Sequence, residues 1–379
     1  MTAAFFHDSI FIKKDNNYYT SGTLNNALFN FYLNYFDKIT VVTRYKNYSL
    51  NTNKIITQEN LVNNMNVRFN CVKKYYGSLK TIKKEVKNND ILIIRCHSFI
   101  GTIAAYYARK YKKKYIVESV SCAWDCLWYH SLSGKLVAPI MYFLTKKIIK
   151  KAYATTYVSS EFLQKRYPTC GKSLSCSDVT LNKTSSCSVD KKFQNFNDRA
   201  VNIANIANLD MKYKGQKYLI KAVNNLINEG YNINLYLVGG GSGNSLKKMI
   251  KKMNISNNVF LKGFIPHNKI FDFLRTIDIY VQPSIAESHG RVILEAMQEG
   301  CIVVGSNVGG IPELIENKNI FKKKNSSELE KILKRIINDD NLKTDSLYSL
   351  KKIKEFDKQL LYKKRKQFFD DIMEELKND

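Results

Sequence analysis

From about residue 200 onward, short apolar runs alternate with amphipathic segments. Ala200–Ala207, Ile233–Val238, Val259–Leu261, Asp278–Gln282 and Cys301–Gly305 are apolar stretches of strand length. Between them, Gly215–Asn228, Leu246–Met253, Asn268–Thr276 and a segment opening at Gly290 have helical spacing of their apolar residues. Strict strand–helix alternation predicts a doubly wound parallel sheet, with ligands at the carboxyl ends of its strands.

The first half carries the same pattern less clearly. Lys38–Thr43, Ile91–Arg95 and Tyr115–Ser119 predict strands, and Thr20-Ser-Gly22-Thr opens a predicted helix through Leu33. Leu136–Tyr153 places Val137, Ile140, Met141, Phe143, Leu144, Ile148 and Ile149 beside a cluster of lysines toward its end. That pattern suits a core-packed helix with a solvated end, or a helix lying in a membrane interface. Ser175–Phe196, rich in Ser, Cys, Lys and Asn, reads as a linker, and the Lys-rich tail from Leu350 reads as helical. The expected division is therefore 1–185 and 195–354, with a C-terminal helix over about 355–379.

A length of 379 residues is enough for two domains with separate cores. The net charge of +27 is the compositional outlier, and its lysines are spread along the whole chain. It favours anionic surfaces, whether nucleic acid or acidic lipid. The start Met1-Thr-Ala-Ala-Phe-Phe-His-Asp lacks the pattern of a secretory leader, and no apolar run is long enough to cross a bilayer. The eight cysteines form no C-x-x-C pair. Cys122 and Cys126 have no histidines at zinc-ligand spacing, so the expectation is thiols in a reducing cytoplasm.

The most informative stretch runs from Pro283 to Gly305. A loop carrying Glu287 leads to Gly290, where a helix begins, and Glu295 lies inside that helix among Val292, Ile293, Leu294, Ala296 and Met297. A helix start directs backbone N–H groups at whatever stands before it, an arrangement suited to phosphate. A carboxylate among apolar neighbours needs a partner. Two carboxylates flanking an anion site suit a ligand with a pyrophosphate and many hydroxyls, as in a nucleotide sugar.

This stretch resembles the donor-site signature of the retaining GT-B glycosyltransferases of family 4, Glu–seven residues–Glu. Here it stands as Glu287-Ser-His-Gly-Arg-Val-Ile-Leu-Glu295-Ala-Met-Gln-Glu-Gly300, trailed by Val308-Gly-Gly-Ile-Pro-Glu313. The resemblance implies an α/β GT-B fold, two Rossmann-like doubly wound domains facing across a cleft, with the last helix crossing back onto the N-terminal domain. It implies that Glu287 faces the donor sugar and Glu295 the ribose, with Ser288, His289, Gly290, Arg291 and Val292 in the donor site. Ala207-Asn208-Leu-Asp-Met-Lys-Tyr-Lys214-Gly215 is similar to the family's second donor element, in which Arg and Lys neutralise the departing diphosphate. Lys214 matches, whereas Asn208 stands where arginine is usual and removes a bidentate cation; Lys212 and Arg291 are the available substitutes.

Gly239-Gly-Gly-Ser-Gly243 has no dinucleotide-binding register and reads as a tight turn beside the ligand. The resemblance places Gly263 and Phe264 near the base, and Gly22 against the donor phosphates, though a plain capping turn explains Gly22 equally. Val117–Ser131 holds both tryptophans; there Asp125 orients or deprotonates an acceptor hydroxyl, or else caps a helix in a Trp-rich core corner. His97 reads as a packed histidine.

These features and the resemblance lead to the expectation of a cytoplasmic, metal-independent, retaining glycosyltransferase, peripheral on the inner, anionic face of the membrane. It would move sugar from a UDP- or GDP-sugar to a glycan or lipid-linked acceptor, and the resemblance alone implies surface polysaccharide biosynthesis. No cofactor is expected, and no D-x-D motif marks a metal site. A GT-B-fold sugar-nucleotide epimerase is the nearest alternative. A basic nucleic-acid-binding protein would explain the charge, but not two glutamates in a phosphate groove.

Overall fold

A computed structural model describes residues 1–20, 24–49, 60–72, 78–179, 181, 189–194, 196–339 and 342–378. The chain forms two compact units, Met1–Asp178 with Lys364–Asp379, and Val179–Lys363.

In the first unit, β1 (Thr2–Lys14), β2 (Asn17–Tyr19), β3 (Lys38–Asn47), β4 (Leu61–Val62), β5 (Val67–Phe69), β6 (Ile91–Cys96), β7 (Tyr115–Ser119), β8 (Ala154–Tyr157) and β9 (Lys172–Ser175) form one sheet. Its parallel core runs β5-β3-β1-β6-β7-β8-β9, and β2 and β4 add antiparallel pairs. The central strand β1 has no counterpart in the sequence expectations. Ala3–Phe6 pairs with Ile39–Val42 on one side and Ile91–Ile94 on the other, but His7-Asp8-Ser9 interrupts its apolar run. The register to β3 shifts at that interruption. Covering helices leave Ala3–Phe6 and Leu92–Ile94 without solvent contact, as expected for parallel strands buried on both faces.

The helices of this unit are α1 (Asn26–Leu33), α2 (Ser78–Asn88), α3 (Phe99–Lys110), α4 (Ala123–Trp128), α5 (Leu132–Lys150) and α6 (Phe162–Arg166). The predicted start of α1 moves to Asn26. Asn25 caps it by accepting the Leu28 N–H, so a polar side chain just ahead of the apolar run sets the boundary; Gly22 lies outside the described residues. Arg95 and Glu118 are buried and paired at 2.8 Å, and Arg95 also reaches Asp178 at 2.8 Å.

In the second unit, α7 (Val189–Lys192) precedes β10 (Val201–Ile206), α8 (Gln216–Asn228), β11 (Ile233–Val238), α9 (Asn244–Lys252), β12 (Val259–Gly263) and α10 (His267–Arg275). Then come β13 (Ile279–Gln282), α11 (Arg291–Gln298), β14 (Ile302–Ser306), β15 (Ile320–Phe321), α12 (Ser326–Ile337) and α13 (Leu342–Lys352). The sheet is parallel throughout in the order β12-β11-β10-β13-β14-β15. Val189, Phe193 and Phe196 are buried in this unit's core. The end of the expected linker is therefore folded structure, its three apolar anchors hidden in a polar composition.

The tail is broken rather than continuous. A short 3₁₀ turn at Ile353–Phe356 separates α13 from α14 (Lys358–Asn378). From Lys364 the chain belongs to the first unit, where Phe369, Ile372 and Met373 enter the core that contains Phe5, Phe29 and Ile93. The Phe369 ring meets Phe31 edge-on at 5.2 Å.

Candidate active site

In the second sheet, β10 lies between β11 and β13, so successive connections leave it in opposite directions. The loops after β10 and β13 are neighbours at that switch point, where an open α/β sheet leaves a crevice. Both donor elements suggested by the sequence fall in these two loops.

The first loop ends in a 3₁₀ turn, Lys212–Lys214, and Gly215 at φ 76°. A Cβ on Gly215 would stand 1.8 Å from the Pro283 carbonyl oxygen, so only glycine permits this approach. The Ile285 N–H donates to the Tyr213 carbonyl at 2.7 Å, fastening the two loops together. The result is direct contact between Lys214 Nζ and Glu287 Oε2 at 2.8 Å. Both side chains remain partly open, 20% and 17% exposed. Gln282 donates to Ser284 Oγ at 2.8 Å beneath them.

The second loop ends at Gly290, in the left-handed region at φ 72°, and α11 starts there without a side-chain cap. Ser288, His289 and Val292 are half-buried, while Arg291 is exposed. The His289 ring stands 6.2 Å from that of Phe356. Glu295 is buried inside α11, and His267 Nε2 lies 3.1 Å from its Oε1. Burial pushes the Glu295 carboxyl up, while the His267 hydrogen bond and charge and the Arg291 charge pull it down. His267 is itself largely exposed, at the start of α10. Sequence reading missed this partner; a histidine opening the helix after β12 was the one available signal.

Asp210 was also missed. Its carboxylate accepts from the Ser242 N–H at 2.8 Å, the Gly243 N–H at 2.9 Å and the Ser242 hydroxyl at 3.1 Å. Backbone hydrogen bonds from Ser242 and then Gly243 hold its carboxyl below the usual value. Asn208 Oδ1 accepts the Asp210 N–H at 3.0 Å, so this amide shapes the loop that clasps the glycine turn. The turn itself packs closely, since a Cβ on Gly239 would lie 2.0 Å from the Ala207 carbonyl oxygen. The Gly239 N–H donates to the Gly263 carbonyl at 2.8 Å, bringing the end of β12 alongside, with Phe264 72% exposed next to it. Lys212 is exposed at the same edge.

Asp125 belongs to the first unit. It occupies the first turn of α4, its N–H directed to Cys122 Sγ at 3.5 Å, on a helix whose Trp124 and Trp128 rings stack at 5.0 Å. His97 is hydrogen-bonded to Ser121 at 2.9 Å. Among the described residues no cluster of three or more His, Cys, Asp or Glu is placed to hold a metal ion.

Residues 189–352 match the glycosyl transferases group 1 family. Protein CapJ of Staphylococcus aureus is 34% identical over 366 residues, spanning 93% of this chain and 90% of that protein. The chain belongs to the glycosyl transferases group 1 family. It is therefore a glycosyltransferase, as the donor-site pattern led us to expect. A shorter likeness, 29% over 106 residues, links this group 1 enzyme to the GPI3 subunit of the phosphatidylinositol N-acetylglucosaminyltransferase of Saccharomyces cerevisiae, covering 28% of this chain and 24% of that one. Anabaena HepE, crystallised with UDP, superposes with a TM-score of 0.69 at 18% identity, covering 98% of this chain and all of its own. The fold is GT-B, as expected.

Proposed function

We propose that this glycosyltransferase is a retaining, metal-independent enzyme of family 4. It moves a sugar from a UDP- or GDP-sugar to a glycan or lipid-linked acceptor at the inner face of the membrane, in surface polysaccharide biosynthesis. The observation that carries this reading is the Lys214–Glu287 pair at the switch point, directly before the glycine-started helix that holds Glu295.

In this reading the diphosphate lies against Lys214 and the start of α11, Glu287 faces the sugar, and Glu295 accepts the ribose hydroxyls. The bond between the anomeric carbon and the diphosphate oxygen breaks, its electron pair leaves with the diphosphate, and the sugar becomes oxocarbenium-like. The Lys214 ammonium, held beside Glu287, and the helix dipole stabilise the charge gathering on the leaving group. The acceptor oxygen bonds to the same face of the anomeric carbon and its proton passes to the departing diphosphate. Glu287 stabilises the positive ring. Asp125 is our candidate for orienting the acceptor hydroxyl.

HepE crystallised with UDP supports a uridine donor as the first to try, and the yeast relative's named phosphatidylinositol substrate supports a lipid acceptor. A thermal-shift panel of UDP, GDP, ADP and CMP is the first experiment, since a ligand of the native state raises the melting temperature. One nucleoside diphosphate should stand out, and indifference to all four would refute the donor-site reading. With the matching donor, activity should persist in excess EDTA and the product's anomeric configuration should equal the donor's by NMR.

A further inference from the structure

Helix α5 is apolar on two faces. Its inner face buries Ala138, Met141, Ile148 and Ile149 in the first unit's core. On the outer side Leu132 is 82% exposed, Leu136 79%, Ile140 60% and Phe143 66%. Their spacing of four, four and three residues puts all of them on one face. A helix of a globular domain keeps one apolar face for the core, so a second needs a cover of its own.

The surrounding charge identifies that cover. Between Asp125 and Glu161 the sequence contains five lysines and no acidic residue. Lys146, Lys147 and Lys150 are exposed and continue along the helix beyond Phe143. A second acid-free run, between Asp90 and Glu118, supplies Arg109, Lys112, Lys113 and Lys114. These four converge with Lys151 of the α5 C-cap on one concavity of about 390 Å³. A neighbouring cavity of about 330 Å³ is mainly apolar, with Ile103, Tyr106 and Leu144 in its wall and Arg109 and Lys147 among its lining. The acid beside this end, Glu375, shares a concavity with Lys150 and Lys151 and is ion-paired to Lys172. Apolar side chains on the outer face of a helix, grading into an excess of cations, match a bilayer surface of acyl chains beneath anionic headgroups. Among the described residues no helix is long and apolar enough to cross a membrane, so the contact is with the surface.

We propose that the outer face of α5 docks this enzyme on an anionic phospholipid surface. Leu132, Leu136, Ile140 and Phe143 enter the boundary between headgroups and acyl chains, while Lys146, Lys147 and Lys150 meet the phosphates. The inference is independent of the donor-site reading, because docking is measured without any transfer.

Co-sedimentation tests it, using vesicles of phosphatidylcholine alone and of phosphatidylcholine mixed with phosphatidylglycerol. The wild-type protein should bind the mixed vesicles and spare the neutral ones. Leu136→Ser/Phe143→Ser and Lys146→Gln/Lys150→Gln should each weaken binding about tenfold or more, through lost insertion and lost attraction respectively. All four side chains are exposed, so thermal unfolding should be unchanged and serves as the folding control. Wild-type indifference to the mixed vesicles, or undiminished binding by Leu136→Ser/Phe143→Ser, overturns the proposal. A concentration-dependent dimer in light scattering that the same apolar variant abolishes assigns the face to a second copy of the chain and overturns it as well.

Discussion

Gly309 lies against the backbone of Glu287 so tightly that a Cβ at 309 would stand 1.5 Å from the Glu287 carbonyl oxygen. Gly310 repeats the relationship with Ser288, at 2.6 Å from its carbonyl oxygen. The glycine pair thus forms the backstop that sets the height of the loop carrying Glu287 and Ser288. Gly309→Ala must push the loop away and also strains a residue at φ 58°. We expect a stability loss of about 1–3 kcal/mol in urea unfolding and a fall in kcat larger than any change in nucleotide affinity. A variant as stable and as active as wild type would mean that the loop has slack.

The contact between Lys214 and Glu287 predicts non-additive stability changes. Lys214→Met leaves a carboxylate without its cation, Glu287→Gln leaves the reverse, and the double variant leaves neither. A double-mutant cycle should give a coupling of roughly 1 kcal/mol or more. On transfer, Glu287→Gln alone should lower kcat by about a hundredfold, the scale of one electrostatic contributor, with little change in nucleotide binding. Strict additivity, with transfer unaffected, would reduce the pair to surface decoration.

Glu295 should trade stability for binding. Its folded-state pKa is raised by burial, so the native state binds more protons than the unfolded state between the ordinary glutamate value and the raised one. Stability present below the ordinary value is lost as pH rises through the raised value. Glu295→Gln should therefore melt higher than wild type at neutral pH, with the gap closing in acid. Nucleoside diphosphate affinity should fall by about 2 kcal/mol, the scale of a hydrogen bond to a charged group. Wild-type affinity should decline with acidification at a higher pH than an ordinary carboxylate would dictate. Calorimetry across pH measures both, and a variant that is less stable yet binds normally would mark Glu295 as purely structural.

Asp210 should govern order in the glycine turn. Its carboxylate accepts from two backbone N–H groups there, and Asp210→Ala removes both bonds at once. Hydrogen exchange at Ser242 and Gly243 should accelerate strongly in the variant, while amides of β11 remain protected. Unchanged exchange at those two residues would show that the glycines hold the turn unaided.

The second unit was legible because its strands, of which β13 and β14 are buried along their whole length, read as apolar runs between glycine and asparagine punctuation; Ile233–Val238 was placed to the residue. The loop before α11 stood out through the spacing of Glu287 and Glu295, its glycines and the family resemblance that they carry. Strand β1 was not, because His7-Asp8-Ser9 masks a strand that continues through a register shift. His267 and Asp210 were illegible for another reason. Their partners lie 28 and 32 residues away, and only the stacking of neighbouring strands brings them within hydrogen-bond reach. In α5, periodicity predicted a helix, but a helix with two apolar faces does not declare which of them meets the core.

The return of α14 imposes an order on maturation. Phe369, Ile372 and Met373 close the first unit's core, yet the ribosome makes them only after the whole of Val179–Lys363. The second unit, continuous in sequence, is ready to fold while the first still awaits its final helix. A nascent chain stalled before residue 369 would leave that edge of the first core uncovered, around Phe31 and Tyr32, to chaperones and proteases. The half of the enzyme synthesised first is thus the half completed last.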